Sequence, residues 1–298
     1  MAGFLVLLAL IHSMMPTLRN FGLKLEAMEE SRGTVAREPV VLPEDMLTLY
    51  RAGELHIFAS LQDARNLNDS LTIYVQNDSP EDVTVQSSVL LVNNYVIQSG
   101  SLYCEAGDNA IGKTWLHLDE EELRKARIRD ISSVSFRLEV YDPEYNLLFP
   151  TELITLGQTV EAFPEYDGDL LYEQEGLAVR YLDYCYSLYH PERFDKGSLE
   201  FCLENTSDDT LFVACEKAAV NGEEAGVLLW VELPPGTRTI AEGELYDYSN
   251  PDLRSPVNAL VELSLEICRN NDLDSIVHTG PLRFPAAVAL DQKEAANG

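Results

Sequence analysis

Leu71 to Asn94, LTIYVQNDSPEDVTVQSSVLLVNN, aligns without a gap on Leu199 to Gly222, LEFCLENTSDDTLFVACEKAAVNG, 128 positions further along the chain. Six of the 24 positions are identical, among them Asn77/Asn205, Ser79/Ser207 and Val92-Asn93/Val220-Asn221. The apolar residues at 71, 73, 75, 83 and 85 keep their phase in the second copy. A period of two puts successive side chains on opposite faces of a strand, so each copy reads as half-buried strands separated by a turn. Two copies of one folding unit follow, with Leu71, Ile73, Val75, Val83 and Val85 inward in the first and Leu199, Phe201, Leu203, Leu211 and Val213 inward in the second.

Working outward, Glu54 to Leu61 and Val134 to Tyr141 alternate in the same way, and Leu138-Glu139-Val140 returns as Leu265-Glu266-Ile267. The turns from Asn77 to Asp82 and from Asn205 to Thr210 read as hairpin tips, because Asn and Ser side chains bond their own backbone there. Both are also N-x-[ST] sequons, as is Asn68-Asp69-Ser70, but the turn alone accounts for the residues. Asp119 caps a helix over Glu120 to Arg127, with Glu122 completing a capping-box pattern. In the second copy the matching connection is broken by Pro251 and Pro256. The domain boundary falls between Gly157 and Gly176. The expected fold is all-β: two tandem immunoglobulin-like antiparallel β-sandwiches of about seven strands each. They occupy 39–160 and 161–298, the latter including a linker and a polar tail, behind a hydrophobic and helical segment at 1–38.

The chain has 298 residues and a formal charge of -29, from 50 acidic against 21 basic residues, so its field repels nucleic acid and anionic lipid. With 46% hydrophobic residues, 14 Tyr, 10 Phe and 2 Trp, it has the material for cores that acidic disordered tails lack. Its 5 cysteines include no C-x-x-C pair. Strand phase sets Cys215 inward and Cys202 outward, which argues against a bridge between them. Ala2 to Met15 is apolar but shorter than the roughly 20 residues of a membrane span. It reads as an export or anchor segment, with a docked amphipathic helix as the alternative.

None of the 5 histidines has zinc-helix spacing, and no nucleophile elbow, phosphate loop or dinucleotide turn occurs. No catalytic residue or cofactor is therefore expected. Calcium is the exception kept open, at a junction site drawn from Asp167, Asp169, Glu173 and Glu175. The binding candidates are Tyr184, Tyr186 and Tyr189, in the aromatic run Tyr181-Leu-Asp-Tyr-Cys-Tyr-Ser-Leu-Tyr-His190, which either covers the first domain or faces a ligand.

The Val-Asn-Asn turn at 92–94 and the Val-Asn-Gly turn at 220–222, each a dozen residues after an N-x-S turn, carry a resemblance. From about 39 to 285 the chain resembles the tandem sandwich modules of uncharacterised extracytoplasmic proteins of Gram-positive gut bacteria. Asn94 departs from the pattern, where Gly is usual. The resemblance implies an exported structural or binding role and no catalytic residues. The expectation is a non-enzymatic binding or spacer module, extracellular or at the cell surface, secreted or membrane-tethered through Ala2 to Met15, with a protein or glycan partner. The alternatives are an accessory protein-interaction subunit, surface or cytoplasmic, and a hydrolase with a carboxylate pair in the inter-domain cleft.

Overall fold

The alternating segments become ten strands in each copy, in a computed structural model that describes residues 40–60, 63–64, 67, 71–98, 102–116, 118–158, 168–186, 197–246 and 259–286, with the side chains of 184–186 and 246 outside the description. The first repeat contains β1 (Met46–Ala52), β2 (Leu55–Ser60), β3 (Leu71–Asn77), β4 (Val83–Val92), β5 (Tyr95–Val96), β6 (Tyr103–Ala106) and β7 (Ala110–Leu116). Helix α1 (Glu120–Lys125), β8 (Ser133–Tyr141), β9 (Leu147–Pro150) and β10 (Ile154–Gly157) complete it. The second contains β11 (Asp169–Gln174), β12 (Leu177–Tyr186), β13 (Gly197–Asn205), β14 (Leu211–Val220), β15 (Glu223–Leu228) and β16 (Trp230–Leu233). It ends with β17 (Arg238–Tyr246), β18 (Ala259–Arg269), β19 (Asp272–His278) and β20 (Leu282–Ala286). The described residues are nearly all β, with helix at α1 and at 63–64. Among the described residues each repeat has ten strands rather than about seven, because short breaks divide the long segments and add small edge strands such as β5, β9 and β10.

The two copies share one topology. The order β1-β2-β3-β7 returns as β11-β12-β13-β17, and β4 pairs with β5, β6 and β8 as β14 pairs with β15, β16 and β18. Ile57, Ile73 and Val75 of the first sheet share one apolar cluster with Val85, Phe136 and Leu138 of the second, so the sheets pack face to face. Leu199, Phe201, Leu203, Leu211, Val213 and Leu265 do the same in the second repeat. The described residues from 40 to 286 thus form one compact unit with two cores. Tyr74, on the outward phase of β3, is buried as well, and the Lys113 ammonium lies over its ring at 5.6 Å.

The Asn77 and Asn205 turns are not hairpins. β3 and β4 lie in different sheets, and β13 pairs with β12 and β17 whereas β14 pairs with β15, β16 and β18, so neither turn joins two paired strands and each is an arch. Alternation tells which face of a strand is buried but not which strand pairs with it. The Asn77 amide is 1% exposed and donates to the carbonyls of Glu81 (2.7 Å), Ala106 (3.2 Å) and Gly107 (3.0 Å). Its Oδ1 accepts from the backbone N (3.1 Å) and Oγ (2.7 Å) of Ser79. Asn205 repeats the pattern, donating to Asp209 (2.8 Å), Leu233 (2.8 Å) and Pro234 (3.1 Å) and accepting from Ser207 N (2.9 Å) and Oγ (2.7 Å). An amide nitrogen so occupied cannot carry a glycan in the folded chain.

Within the repeated segment the hairpin tips are Asn93-Asn94 and Asn221-Gly222, where all four residues have positive φ, as a two-residue type I′ turn requires. Asn tolerates that conformation, so Asn94 serves where Gly222 stands in the second copy. The copies also share a β-bulge, at Ser87/Val89 in β4 and Cys215/Lys217 in β14. Cys202 and Cys215 are free thiols. Helix α1 is shorter than expected. Asp119 caps it through Glu121 N (2.8 Å) and Glu122 N (3.2 Å), and Arg127 closes it at φ 54°.

Candidate functional site

The tip of the first repeat meets one sheet of the second. Tyr95 of β5 is the parallel register partner of Arg238 in β17, Arg238 N donates to Asn94 O (3.2 Å), and Thr239 Oγ1 donates to Val96 O (2.9 Å). Lys125, at the end of α1, pairs with Glu242 and, at 4.0 Å, with Glu200. Glu122 from the same helix accepts from Gln98 N (2.6 Å), which fixes the segment after β5.

Beside this contact lies a groove of about 260 Å3, lined on the first repeat by Ser87, Ser88, Val89, Leu90, Val96, Ile97 and Gln98 and on the second by Trp230, Val231 and Glu232. Each wall has a reason in the sequence. The bulge in β4 breaks strict alternation and leaves Ser88 exposed at the rim. In β16, Val231 and Leu233 enter the second core, so Trp230 and Glu232 face outward on one side of the strand. Trp230 is 53% exposed, with Phe212 as a neighbour at 6.3 Å.

On the outward side of β8, Arg137 reaches across and donates to Glu232 Oε1 at 3.3 Å. Burial holds the Glu232 carboxyl above the usual carboxylate range; Arg137 opposes that shift and the nearby Glu139 adds to it. Glu139 accepts from the Tyr141 hydroxyl. A carboxyl raised in the folded state binds more protons there than in the unfolded chain, so its ionisation costs stability as pH rises from the ordinary Glu range through the raised value. Glu232→Gln is therefore expected to be at least as stable as the parent at neutral pH and to lose that advantage below the ordinary Glu range. Urea unfolding of both proteins across pH checks the sign.

The residues singled out from sequence are placed differently. Asp169 and Glu173 are exposed on β11, where residues four apart are roughly 13 Å apart along an extended strand. Glu175 sits at positive φ in the β11–β12 turn and is held by Arg269 at 2.7 Å. Extension thus keeps Asp169 and Glu173 apart, Glu175 is turned to Arg269, and Asp167 lies outside the described residues. Among the described residues, no three His, Cys, Asp or Glu side chains are gathered as a metal ion would need. Tyr184 and Tyr186 are backbone partners of Leu199 and Gly197; their side chains, and all of Tyr189, lie outside the description. An irregularity between Tyr181 and Asp183 also interrupts the alternation expected across this run.

The thiols offer little chemistry: burial pushes Cys202 up to about 11 and Cys215 up to about 12, so neither is a ready thiolate. A larger surface depression of about 550 Å3 flanks α1 among Glu120, Arg124, Arg127 and Arg129, without an aromatic wall or a partner strand.

No protein-family model matches the chain, and no curated protein matches it. Solved structures similar to parts of it include red sea bream transglutaminase, at 10% identity and TM-score 0.21 over 74% of this chain and 29% of that one. The YadV chaperone aligns at 12% identity and TM-score 0.23, over 74% and 94% of the two chains. The exo-chitosanase CsxA of Amycolatopsis orientalis aligns at 13% identity and TM-score 0.23, over 78% and 26%. This chain therefore spans less than a third of the transglutaminase and of the chitosanase. At such TM-scores the alignments bear on neither fold nor activity. Among the described residues no helix is long and apolar enough to cross a membrane, and Ala2 to Met15 lie outside them.

Proposed function

We propose that the chain is a non-enzymatic binding and spacer module, two immunoglobulin-like repeats acting at or outside the cell surface, with its ligand held in the groove where the repeats meet. The observation that carries this reading is the groove itself: a concave wall with an exposed Trp230 beside the Arg137–Glu232 pair. Apolar concavities with a few converging polar groups at a domain junction are the usual place for a ligand. Export rests on the apolar run from Ala2 to Met15.

A second reading is favoured by one specific feature. Glu139 and Glu232 are neighbouring acids, and burial has raised one of them, as a general acid requires. Against it, Glu232 is engaged by the Arg137 guanidinium and Glu139 by Tyr141. The test is affinity capture from cell-surface extract on immobilised protein, with Trp230→Ala as the control, alongside an assay for new reducing ends in any captured glycan. The binding reading expects capture by the parent, loss of capture by the variant with an unchanged melting temperature, and no cleavage. Equal capture by both proteins would remove the groove, and cleavage abolished by Glu232→Gln would favour the hydrolase.

A further inference from the structure

The groove's chemistry narrows what it can hold, and this step rests on the binding reading above. Arg137 and Glu232 are opposite charges in direct contact at 3.3 Å, with the Glu139 carboxyl nearby, so this side of the groove has no positive excess and disfavours an anionic ligand, as does the chain's charge of -29. The same pair offers guanidinium donors and carboxylate acceptors side by side, a spacing suited to adjacent hydroxyls. Exposed Gln98 and Ser88 add an amide and a hydroxyl at the rim.

Beside Glu232, on the same face of β16, the Trp230 indole is a flat apolar surface whose electron-rich face attracts polarised C–H groups. Few ligand classes present both an array of adjacent hydroxyls and an apolar C–H face, and a pyranose ring does. At about 260 Å3, below the roughly 300–1,000 Å3 of drug-sized sites, the groove accommodates one or two such rings and not a folded partner.

We infer that the inter-repeat groove binds a neutral glycan, with a pyranose ring stacked on Trp230 and its hydroxyls shared among Arg137, Glu232 and Gln98. The chain carries only 2 tryptophans, Trp115 and Trp230, so Trp115→Phe leaves Trp230 as the sole indole in the intact protein. This variant is titrated with neutral β-linked glucose and N-acetylglucosamine oligosaccharides, and in parallel with poly-glutamate, poly-lysine and an uncharged peptide mixture. The expected result is a saturable blue shift of Trp230 emission, with protection from acrylamide quenching, for a neutral glycan only. Gln98→Ala or Arg137→Met should weaken it by about tenfold, near-ultraviolet circular dichroism confirming that each variant is folded.

Three outcomes separate the claims. A response to peptide probes without any response to the oligosaccharides overturns the glycan assignment and leaves the binding reading standing. Silence of Trp230 toward every probe overturns the glycan assignment too, while capture in the extract experiment shows separately whether the groove binds anything. Glycan binding followed by release of reducing ends supports the ligand class and overturns the non-enzymatic reading.

Discussion

Asn77→Ala and Asn205→Ala are each expected to destabilise their own repeat by about 3 kcal/mol, among the largest effects of any single polar substitution in the chain. Both amides are 1% exposed and each makes five hydrogen bonds, two of them to carbonyls distant in sequence and one to the carbonyl four positions on. Alanine fills none of that space and leaves carbonyls such as those of Ala106 and Leu233 without their donor. Asn77→Asp is the sharper probe, since a carboxylate would face three carbonyl oxygens and could donate to none. Its cost should match or exceed that of alanine at neutral pH and shrink as pH falls, because the protonated acid regains a donor. Urea unfolding measures both. Because Trp115 lies in the first repeat and Trp230 in the second, single-tryptophan backgrounds assign each loss to its repeat. A change below about 1 kcal/mol in both repeats would show that the arch does not depend on the staple.

Phe201→Ala is expected to cost about 4 kcal/mol. The ring has no exposed surface and packs edge-on against Phe284 at 5.7 Å and against Tyr181 at 6.0 Å, while those two rings are themselves 4.5 Å apart. Removing it breaks a three-ring cluster that ties β12 and β13 to β20 within the second core. Position 73, its match in the first repeat, holds Ile, equally buried. Phe201→Ile keeps a branched apolar side chain and should recover more than half of the loss in the same unfolding experiment.

The sequence made the strands and their inner faces readable because burial imposes a period of two. Leu71, Ile73, Val75, Leu199, Phe201 and Leu203 are all buried, as that period requires. It did not reveal sheet membership, since an arch and a hairpin both accept Asn and Ser at a turn; the two distant carbonyls on Asn77, those of Ala106 and Gly107, mark the arch. The groove was less legible still. Arg137 and Glu232 are 95 positions apart in the chain, and no local spacing links them. One signal was present: in Trp230-Val-Glu-Leu233 the aliphatic phase places Val231 and Leu233 inside, which forces a tryptophan outward. The tyrosine run drew attention by density alone, whereas Trp230 stands out by phase.

The site depends on the two repeats meeting as described, and the salt bridge from Lys125 in the first to Glu242 in the second reports that meeting directly. Zero-length carbodiimide coupling of the intact monomer, followed by proteolysis and mass spectrometry, reads it out. The account predicts an amide between Lys125 and Glu242 or Glu200, lost in Lys125→Arg while the protein stays folded. If Lys125 couples only within its own helix, to Glu121, the repeats do not meet there and the groove between them is not the binding site.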